Sequence, residues 1–597
     1  MHVEMALSTG GVAMRRKSLW AGGLALLAVM SGVETAVAEP AVLQVGSWHG
    51  KQGTYSNVQA AVNAASPGDW ILIGLGNYHE TGASNDGVRI TKAGIHLRGM
   101  DRNGVIIDGT RPGAAPCDPS PTAQFLGPGG SGRNGIQVFK VDGVTIENLT
   151  VCNFLGGSGV GGNQIWWNGG DGSGVIGMGS FLGAYLTASA SFYSTSNSAS
   201  YGIFVSNSRG PGVIERSYAS NMSDSGFYVG ACPDCNTTLR EVHAQNSPQG
   251  FSGTNAGGHL VLESSEWDHN RVGIASTTLA NDDRPSPQDG ACPGFPGRSC
   301  TLIQHNYVHD NNVANTPASG IAAAVPIGTG ILISGGRNNT VRHNLVTGNG
   351  AWGVLLNDYP DASIGACDGG EAFFKPPPPY DAIFGPVIPC YFHSFGNRVH
   401  DNRFGANGSF GNVTNGDLAY AALDYAARNC FSGNKTARDA KLTSAPLNIE
   451  DPTVAGTCSG AWASDQTQEA ALFLQILCDA FGPASGACIA FNQYPVPTAV
   501  TLLPLRASAA CPIPATTCRP TPGVLASATM PTSPRTEQDR VCPTLPFAYG
   551  LLAGAIDGAS AALEADVIPW RWGLHRQRKL ATAEPAVRAP ASRPRPT

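Results

Sequence analysis

The feature that most constrains the fold is a glycine-led phrase that returns about every 24 residues in the middle of the chain. A fixed period of this size is typical of stacked units, none of which can bury its apolar face alone. Alternation within the first copy directs Ile203 and Val205 inward and Phe204 outward, as in a short strand. The phrase therefore predicts a solenoid of stacked strands. Its copies are Gly202–Val205, Gly226–Val229, Gly250–Gly253, Gly273–Ser276, Gly330–Ile333 and Gly353–Leu356.

A second phrase runs in step with the first and ends in asparagine. Asparagines at one turn of successive coils can hydrogen-bond through their side-chain amides, so we expect a structural ladder. Its members are Asn221, Asn246, Asn270, Asn311, Asn349 and Asn402. Three insertions lengthen the later periods, and in a solenoid such insertions become loops on one face, either a binding face or plain decoration.

Composition narrows the class of protein. Of the 597 residues, 42 % are apolar and only 13 % are charged, which suits a globular chain with many tight turns. The net charge of −6 argues against nucleic acid or an anionic membrane as the main partner.

The N-terminus predicts export. The basic stretch 14–17, the apolar stretch 19–29 and the small residues 36–38 are typical of a signal peptide over residues 1–38. The alternative, a membrane anchor, is disfavoured because the apolar run is short and contains glycines. We expect a secreted or periplasmic protein without a transmembrane anchor, and a monomer.

The fifteen cysteines all follow this segment, as disulfides in an exported protein would. For Cys232-Pro-Asp-Cys235 a structural disulfide is favoured, with a zinc half-site or a redox motif as alternatives. Spacing suggests the pairs Cys232/Cys235, Cys292/Cys300, Cys367/Cys390, Cys478/Cys488 and Cys511/Cys518.

The N-terminal third resembles a known superfamily. The phrases 58–69, 77–80 and 94–99 are similar to the N-terminal cap and first coils of right-handed parallel β-helix (pectin-lyase-like) proteins, and the resemblance extends over residues 42–404. The repeats look most like the branch with periplasmic copper-insertion accessory proteins and mannuronan C5-epimerases. The expected fold class is all-β: a right-handed parallel β-helix with an N-terminal capping helix, N-capped by Ser56, and a smaller, partly helical, disulfide-rich C-terminal region.

The expected domains are the signal peptide, a β-helix over 39–407, a cysteine-containing region over 408–570 and a disordered tail over 571–597. Helical composition marks Asp417–Cys430 and Asp465–Phe481 within the third of these. The tail is basic and proline-rich.

The resemblance implies a carbohydrate-active protein, above all a lyase or C5-epimerase for uronate-containing glycans. Such enzymes need a cation, a base and a proton donor. Ca²⁺ is a possible cofactor that would supply the cation. Epimerases of the superfamily carry a Tyr-Gly-x-Asp-Pro-His motif. The segment 227–234 has a tyrosine and a Pro-Asp pair but departs from that order. The candidate catalytic residues are Tyr228, Asp234, His243, Asp268 and His269.

Each candidate has a structural alternative. Tyr228 can stack on Phe204 or on a sugar, and Asp234 can cap the cysteine loop. His243 stands three residues before its asparagine, where Trp267 stands in the next coil, which favours packing.

Asp268 and His269 belong to a turn phrase that recurs at His309-Asp310 and His400-Asp401. Recurrence favours turn chemistry, and evenly spread pairs would not build a metal site, so none is expected. The alternative functions are a non-catalytic solenoid that binds polysaccharide or cell-envelope glycans, and a periplasmic accessory protein.

Overall fold

A computed structural model describes residues 39–82, 85–159, 161–280, 300–320, 323–361, 367–378, 380–423, 429–436, 441–450, 466–489 and 494–505. The signal-peptide and tail segments, Cys292, Cys511 and Cys518 lie outside these ranges. Among the described helices, none is long and apolar enough to cross a membrane.

The chain forms a right-handed parallel β-helix whose coils have three faces. Face 1 is a sheet of eleven parallel strands. Its strands are Asp86–Ile90, Asn134–Phe139, Ile165–Asn168, Tyr201–Ser206, Ser225–Gly230, Gln249–Thr254, Val272–Thr277, Thr329–Ser334, Trp352–Asn357, Gly416–Ala421 and Ser444–Ala445.

The other two faces share one sheet of 21 strands that bends at a corner in every coil. Face 2 contains Val42–Val45, Trp70–Ile73, His96–Gly99, Val144–Cys152, Phe181–Ser189, Gly212–Glu215, Cys232–Arg240, Ala256–Glu263, Thr301–Gln304, Thr340–Arg342, Arg398–His400 and Cys430–Ser432. The strands Val144–Cys152 and Phe181–Ser189 continue around the corner onto face 3. Face 3 also contains Gly76–His79, Val105–Asp108, Tyr218–Ser220, His243–Gln245, Glu266–Asp268, Tyr307–His309, Leu345–Thr347, Arg403–Gly405 and Lys435–Thr436.

The corner has a simple cause. One residue per coil adopts the left-handed conformation there, for example Glu241 with φ of 54° and His305 with φ of 56°. A single left-handed residue turns the chain sharply without ending the sheet, since strand pairing resumes two residues later.

The repeated glycine is explained by the distance between coils. A Cβ atom on Gly202 would lie 2.5 Å from the carbonyl oxygen of Gly226, and one on Gly273 would lie 2.7 Å from that of Gly330. No side chain fits such a gap. The next positions, such as Ile203 and Val205, point inward as predicted and are fully or almost fully buried in the core.

Two asparagine ladders run along the solenoid. After face 3, the Asn270 amide donates to the side-chain oxygen of Asn311 at 3.1 Å, and the pattern continues through Asn349 to Asn407. This confirms the predicted ladder for these coils. Asn402 is an exception to that prediction, because it belongs to a second ladder at the corner between faces 2 and 3, where it accepts from Asn344 at 3.0 Å. The phrase His-Asp-Asn occurs at both turns, so the sequence alone did not separate them.

Within the described residues, the helices lie before the first face-1 strand, in an insertion and after the last face-1 strand. They are Val58–Ala64, Asp381–Phe384 and Gln466–Phe481, with 3-10 turns at Pro121–Ala123, Pro128–Gly130, Pro483–Ser485 and Ala487–Ile489. The capping helix forms as predicted, but Asn57 caps it and not Ser56, since the Asn57 side chain accepts from the Ala60 amide at 2.8 Å.

The region after residue 407 is more regular than predicted. Parallel pairing continues to Ser444–Ala445, and Gly416–Ala421 is a face-1 strand where helical composition predicted a helix. Leu418 and Tyr420 alternate inward to the core, and that alternation outweighs the alanine content. The second expected helix is present as Gln466–Phe481.

The outer surface of face 1 is covered over its later coils. Ala275, Leu332 and Leu355 point away from the core as predicted, but they are buried. They share an apolar cluster with Leu472 and Phe473 of the C-terminal helix, Gln466–Phe481, and with residues of the third insertion, which lies between Asn349 and Asn402. That insertion forms a small antiparallel sheet from Tyr359–Asp361, Glu371–Phe374 and Ile388–Phe392. Elsewhere, before the capping helix, a separate antiparallel hairpin joins Ser47–Trp48 to Lys51–Gln52.

Disulfides hold the chain at described positions on the solenoid and the C-terminal region. The predicted pairs Cys232–Cys235, Cys367–Cys390 and Cys478–Cys488 are confirmed, and Cys117–Cys152 is an additional pair. Cys300 and Cys430 are also disulfide-bonded.

An extended segment, residues 499–503, lies across the turn that follows face 3, and we call it the C-terminal strap. The Asn221 amide donates to the Leu503 carbonyl at 2.9 Å, and the Leu503 amide donates back to the Asn221 side chain at 2.9 Å. Two residues earlier, the Thr501 carbonyl accepts from Asn246 at 2.8 Å. Alternate residues of the strap thus bond successive coils.

Candidate functional site

Three of the five candidate residues meet on face 3. The Nε2 atom of His243 lies 2.5 Å from Oδ1 of Asp268, and Nδ1 of His269 lies 2.5 Å from Oδ2 of the same carboxylate. Gln245 also donates to Oδ2, at 2.8 Å. One carboxylate therefore joins two imidazoles from neighbouring coils.

The strand register explains why they meet. In the three-residue face-3 strands the middle residue points to the core, as Ala244 and Trp267 do, and the residues on either side point outward. His243 is in register with Glu266, and Asp268 with His309. Two outward columns of side chains therefore rise along the face.

This register corrects the alignment that placed His243 at the packing position of Trp267. In the first coils Asn221 and Asn246 adopt the left-handed turn conformation themselves. In the next coil His269 takes that conformation, with φ of 52°, and its asparagine follows one residue later. Counting back from the asparagine is therefore wrong by one residue in the later coils.

In the next coil, His309 contacts two further carboxylates. His309 places Nε2 at 3.1 Å from Oε1 of Glu266 and Nδ1 at 2.8 Å from Oδ2 of Asp310. The Tyr307 ring stacks on the His309 ring, with centroids 3.8 Å apart. Glu266, Tyr307, His309 and Asp310 thus complete what we call the face-3 cluster, together with His243, Gln245, Asp268 and His269.

Burial and charge set the protonation of the cluster. Burial acts upward on the pKa of Asp268, but the adjacent His243 and His269 rings hold that pKa well below its ordinary value. The Asp268 hydrogen bond raises the pKa of His269. Burial alone would lower the pKa of His243, yet Asp268 and Glu266 outweigh it and raise that pKa.

The pKa of His309 is raised by neighbouring carboxylates in the same way. Burial works against a charged His309, but the hydrogen bonds to Asp310 and Glu266 raise its pKa to about 10. Burial raises the pKa of Tyr307 to about 12. The neighbouring carboxylates therefore favour the charged form of the histidines in the cluster.

Solvent reaches the cluster mainly through two side chains. The side chain of His269 is 56 % exposed and that of Asp310 is 49 % exposed, whereas Asp268 is 4 % exposed. A bound molecule would therefore meet His269 and Asp310 first, with Asp268 positioned behind them.

The other two candidates lie elsewhere. Tyr228 is in a face-1 strand, 2 % exposed, and its hydroxyl donates to the Thr254 carbonyl at 3.2 Å. Asp234 is in a face-2 strand, where its Oδ1 lies 3.1 Å from Nδ1 of His259. The two therefore have partners outside the face-3 cluster.

The recurring His-Asp phrases are not equivalent positions. His400 lies at the end of a face-2 strand and bonds its neighbour Asp401 at 2.8 Å, whereas His309 lies on face 3. The His-Asp phrase therefore occurs at two different turns of the coil. Of these phrases, only those at 268–269 and 309–310 lie in the same patch.

Sequence reasoning missed Glu266, Gln245 and Tyr307 as members of the patch. The available signal was the alternation out–in–out in each three-residue strand, which places Glu266 and Asp268 on the same side of Trp267. Counting from asparagines instead of from the inward residue obscured it.

Face 1 carries an aromatic column in its earlier coils. The Trp166 and Phe204 rings stack with centroids 5.0 Å apart, and Phe204 contacts Tyr201 at 4.5 Å and Tyr228 at 4.7 Å. Trp166 and Tyr201 are partly exposed. The predicted stacking of Tyr228 on Phe204 is an edge contact with an interplanar angle of 87°.

A family model agrees with the fold. The family model described as "Right handed beta helix region" matches residues 187–368. The A-module of the mannuronan C-5 epimerase AlgE4 from Azotobacter vinelandii is 13 % identical, with 64 % of this chain and 90 % of that chain covered and a TM-score of 0.37. No match is found among curated proteins.

Two further solved structures are similar at the same level. A mannuronic acid specific polysaccharide family 6 lyase from human gut microbiota is 12 % identical, with 67 % of this chain and 83 % of that chain covered and a TM-score of 0.33. Pectate lyase Pel9A is 11 % identical, with 72 % and 89 % covered and a TM-score of 0.31. The fold itself follows from the strand pairing described above.

Proposed function

We propose that the protein acts on a uronate-containing polysaccharide, as a lyase or a C5-epimerase, at the face-3 cluster. The observation that carries the proposal is that Asp268 contacts both His243 and His269. Three residues singled out for uronate chemistry thereby share one solvent-accessible patch.

The chemistry matches the side chains present. Removing the proton beside a uronate carboxylate requires a group that holds the carboxylate, a proton acceptor and a proton donor. The cluster offers imidazole, carboxylate and phenol groups on three successive coils. His269 is its most exposed imidazole, and the Asp268 carboxylate fixes the orientation of that ring.

The face also suits a linear polymer. Adjacent parallel strands lie about 4.8 Å apart, so the outward columns present a new side chain at each step along the solenoid. One column runs through Tyr218, His243, Glu266 and Tyr307. A polysaccharide lying along this column would pass the cluster with successive sugars.

The test is an assay of the exported chain, residues 39–597, on alginate, pectate, hyaluronan and gellan. Unsaturated uronate is followed by ultraviolet absorbance and epimerisation by proton NMR. We expect activity on one of these polymers, reduced at least about 100-fold by His269→Ala.

The matched control is His400→Ala, which removes a His–Asp pair on face 2 and should retain activity. Tyr228→Phe should also retain activity, because this change removes only one buried hydroxyl. Activity that Tyr228→Phe abolishes and His269→Ala spares would contradict the site and transfer it to face 1.

A second candidate function, non-catalytic glycan binding, is favoured by the aromatic column. The partly exposed Trp166 ring, stacked on Phe204, offers a sugar a flat apolar surface. Glycan binding that Trp166→Ala abolishes and His269→Ala spares, without turnover of any polymer, would favour this function.

We also propose that the protein is exported. The disulfides on the solenoid persist in an oxidising compartment. Mass spectrometry of the mature protein should find Glu39 as its first residue, and an N-terminus before residue 30 would contradict this.

A further inference from the structure

We propose that His243, Glu266 and Asp268 form a binding site for a divalent transition-metal ion, for which zinc is the representative. One ligand atom from each of these residues lies within 4.8 Å of the other two. Ligands around tetrahedral zinc are roughly 3.3 Å apart, so small side-chain rotations would suffice.

The strand register builds the site without a loop. His243 and Glu266 are neighbours in adjacent strands, and Asp268 follows Glu266 by two residues on the same outward side. The intervening Trp267 is fully buried, and its Nε1 donates to Asn306 at 3.3 Å. The backbone between the two carboxylates is therefore anchored to the core and to the corner ladder.

The donor set selects the class of ion. One imidazole nitrogen and two carboxylate oxygens are ligands that zinc and its neighbours accept. Calcium prefers six to eight oxygen ligands, which this site does not offer. Three protein ligands would leave one tetrahedral position open to solvent, as in zinc sites that bind a water or a substrate.

Outer hydrogen bonds orient both carboxylates. Oδ1 of Asp268 faces His243, while Oδ2 is held by His269 at 2.5 Å and Gln245 at 2.8 Å. Oε1 of Glu266 is 3.1 Å from Nε2 of His309. Such supporting contacts are typical of metal sites, where they fix the ligands and raise affinity.

The site is also reachable. The side chains of His243 and Glu266 are 12 % and 21 % exposed, so an ion can enter from solvent without unfolding the coil. An ion there would add positive charge beside the exposed His269. The inference does not depend on the proposed function, because its test measures binding and not turnover.

The experiment uses the full exported chain after treatment with a chelator and its removal. Isothermal titration with zinc chloride should give one ion per chain, and zinc should raise the melting temperature because it binds only the folded state. Added Co²⁺ should develop the visible absorption of a tetrahedral site. Glu266→Gln, which keeps the shape of a partly exposed side chain, should lower zinc affinity at least tenfold.

His343→Ala is the matched control, because His343 is an exposed histidine at a face-2 corner. It should leave zinc affinity and the Co²⁺ spectrum unchanged. If Asp268→Asn fails to fold, Glu266→Gln and His243→Ala still provide the test. Absence of saturable zinc binding, equal loss in His343→Ala, or calcium binding as tightly as zinc would overturn the proposal.

Discussion

The Nε2 atom of His243 lies 2.5 Å from Oδ1 of Asp268, although the two residues are 25 positions apart in the chain. One coil of the solenoid separates them, so distance along the sequence becomes adjacency across strands. The pair is also largely buried, with side-chain exposures of 12 % and 4 %.

Burial makes Asp268 important for stability. Asp268→Asn removes the charge that His243 and His269 face, and leaves the largely buried His243 imidazole without its closest counterion. We expect a loss of about 3 kcal/mol in the free energy of unfolding, measured by urea denaturation. Asp310→Asn, at a half-exposed carboxylate that also bonds a histidine, should cost less than about 1 kcal/mol. Equal losses in the two variants would contradict this difference.

The asparagine ladder should be equally sensitive. The Asn311 amide donates to Asn349 and to the Trp267 carbonyl, and its oxygen accepts from Asn270. Asn311→Ala removes these three buried hydrogen bonds and should cost about 2–3 kcal/mol in the free energy of unfolding. Chemical denaturation measures the effect. The reference is Asn103→Ala, because Asn103 is an exposed asparagine. A loss no larger than that of the reference would show that the ladder adds little.

The repeated glycine makes a steric prediction. Gly273→Ala would bring a methyl group to 2.7 Å from both the Gly330 carbonyl oxygen and Val308, forcing two coils apart. We expect the free energy of unfolding to fall by about 2 kcal/mol and the melting temperature to be lower. Gly161→Ala is the control, since its nearest neighbour would be an ordinary 3.5 Å away. Equal melting temperatures of the two variants would contradict the steric explanation.

Asp479 on the C-terminal helix makes a prediction about pH. Burial raises its pKa to about 8, while Gln475 only partly opposes this. The folded carboxyl keeps its proton up to about pH 8, whereas the unfolded one loses it near pH 4. The ionisation of Asp479 therefore lowers the free energy of unfolding as pH rises from about 4 to 8. The total decrease over this range is on the order of a few kcal/mol.

Asp479→Asn should remove this contribution. The stability of the variant relative to the parent should increase between pH 5 and pH 8 and change little above that, in urea denaturation at each pH. Tyr494, the titratable neighbour whose pKa Asp479 affects, ordinarily loses its proton well above this range. A constant difference between the two proteins from pH 5 to pH 8 would show that Asp479 titrates normally.

Much of the solenoid could be predicted from the sequence because its period comes from packing. The glycine before each inward pair is required by the approach of the next coil, so it recurs wherever coils stack. The coil after residue 407 was missed because Gly416–Ala421 has alanines in place of the usual branched residues. There only the inward Leu418 and Tyr420 carried the pattern.

The site was predicted in its residues and missed in its arrangement. His243, Asp268 and His269 were singled out, but a left-handed residue inserted at His269 shifts the count that would have aligned His243 with Glu266. Which of two similar turns contains a His-Asp phrase depends on three-dimensional register. Sequence composition does not encode that register for His309 and His400.

The C-terminal strap has a consequence for the order of folding. Its bonds to Asn221 span 282 residues, whereas the contacts of each coil with the next span one period. Coils can therefore assemble as the chain emerges, but the edge beside face 3 is completed only when the C-terminal part arrives. A chain cut before residue 499 would keep the stacked coils and leave Asn221 and Asn246 facing water. Closure of this edge therefore requires the chain to be present through residue 503.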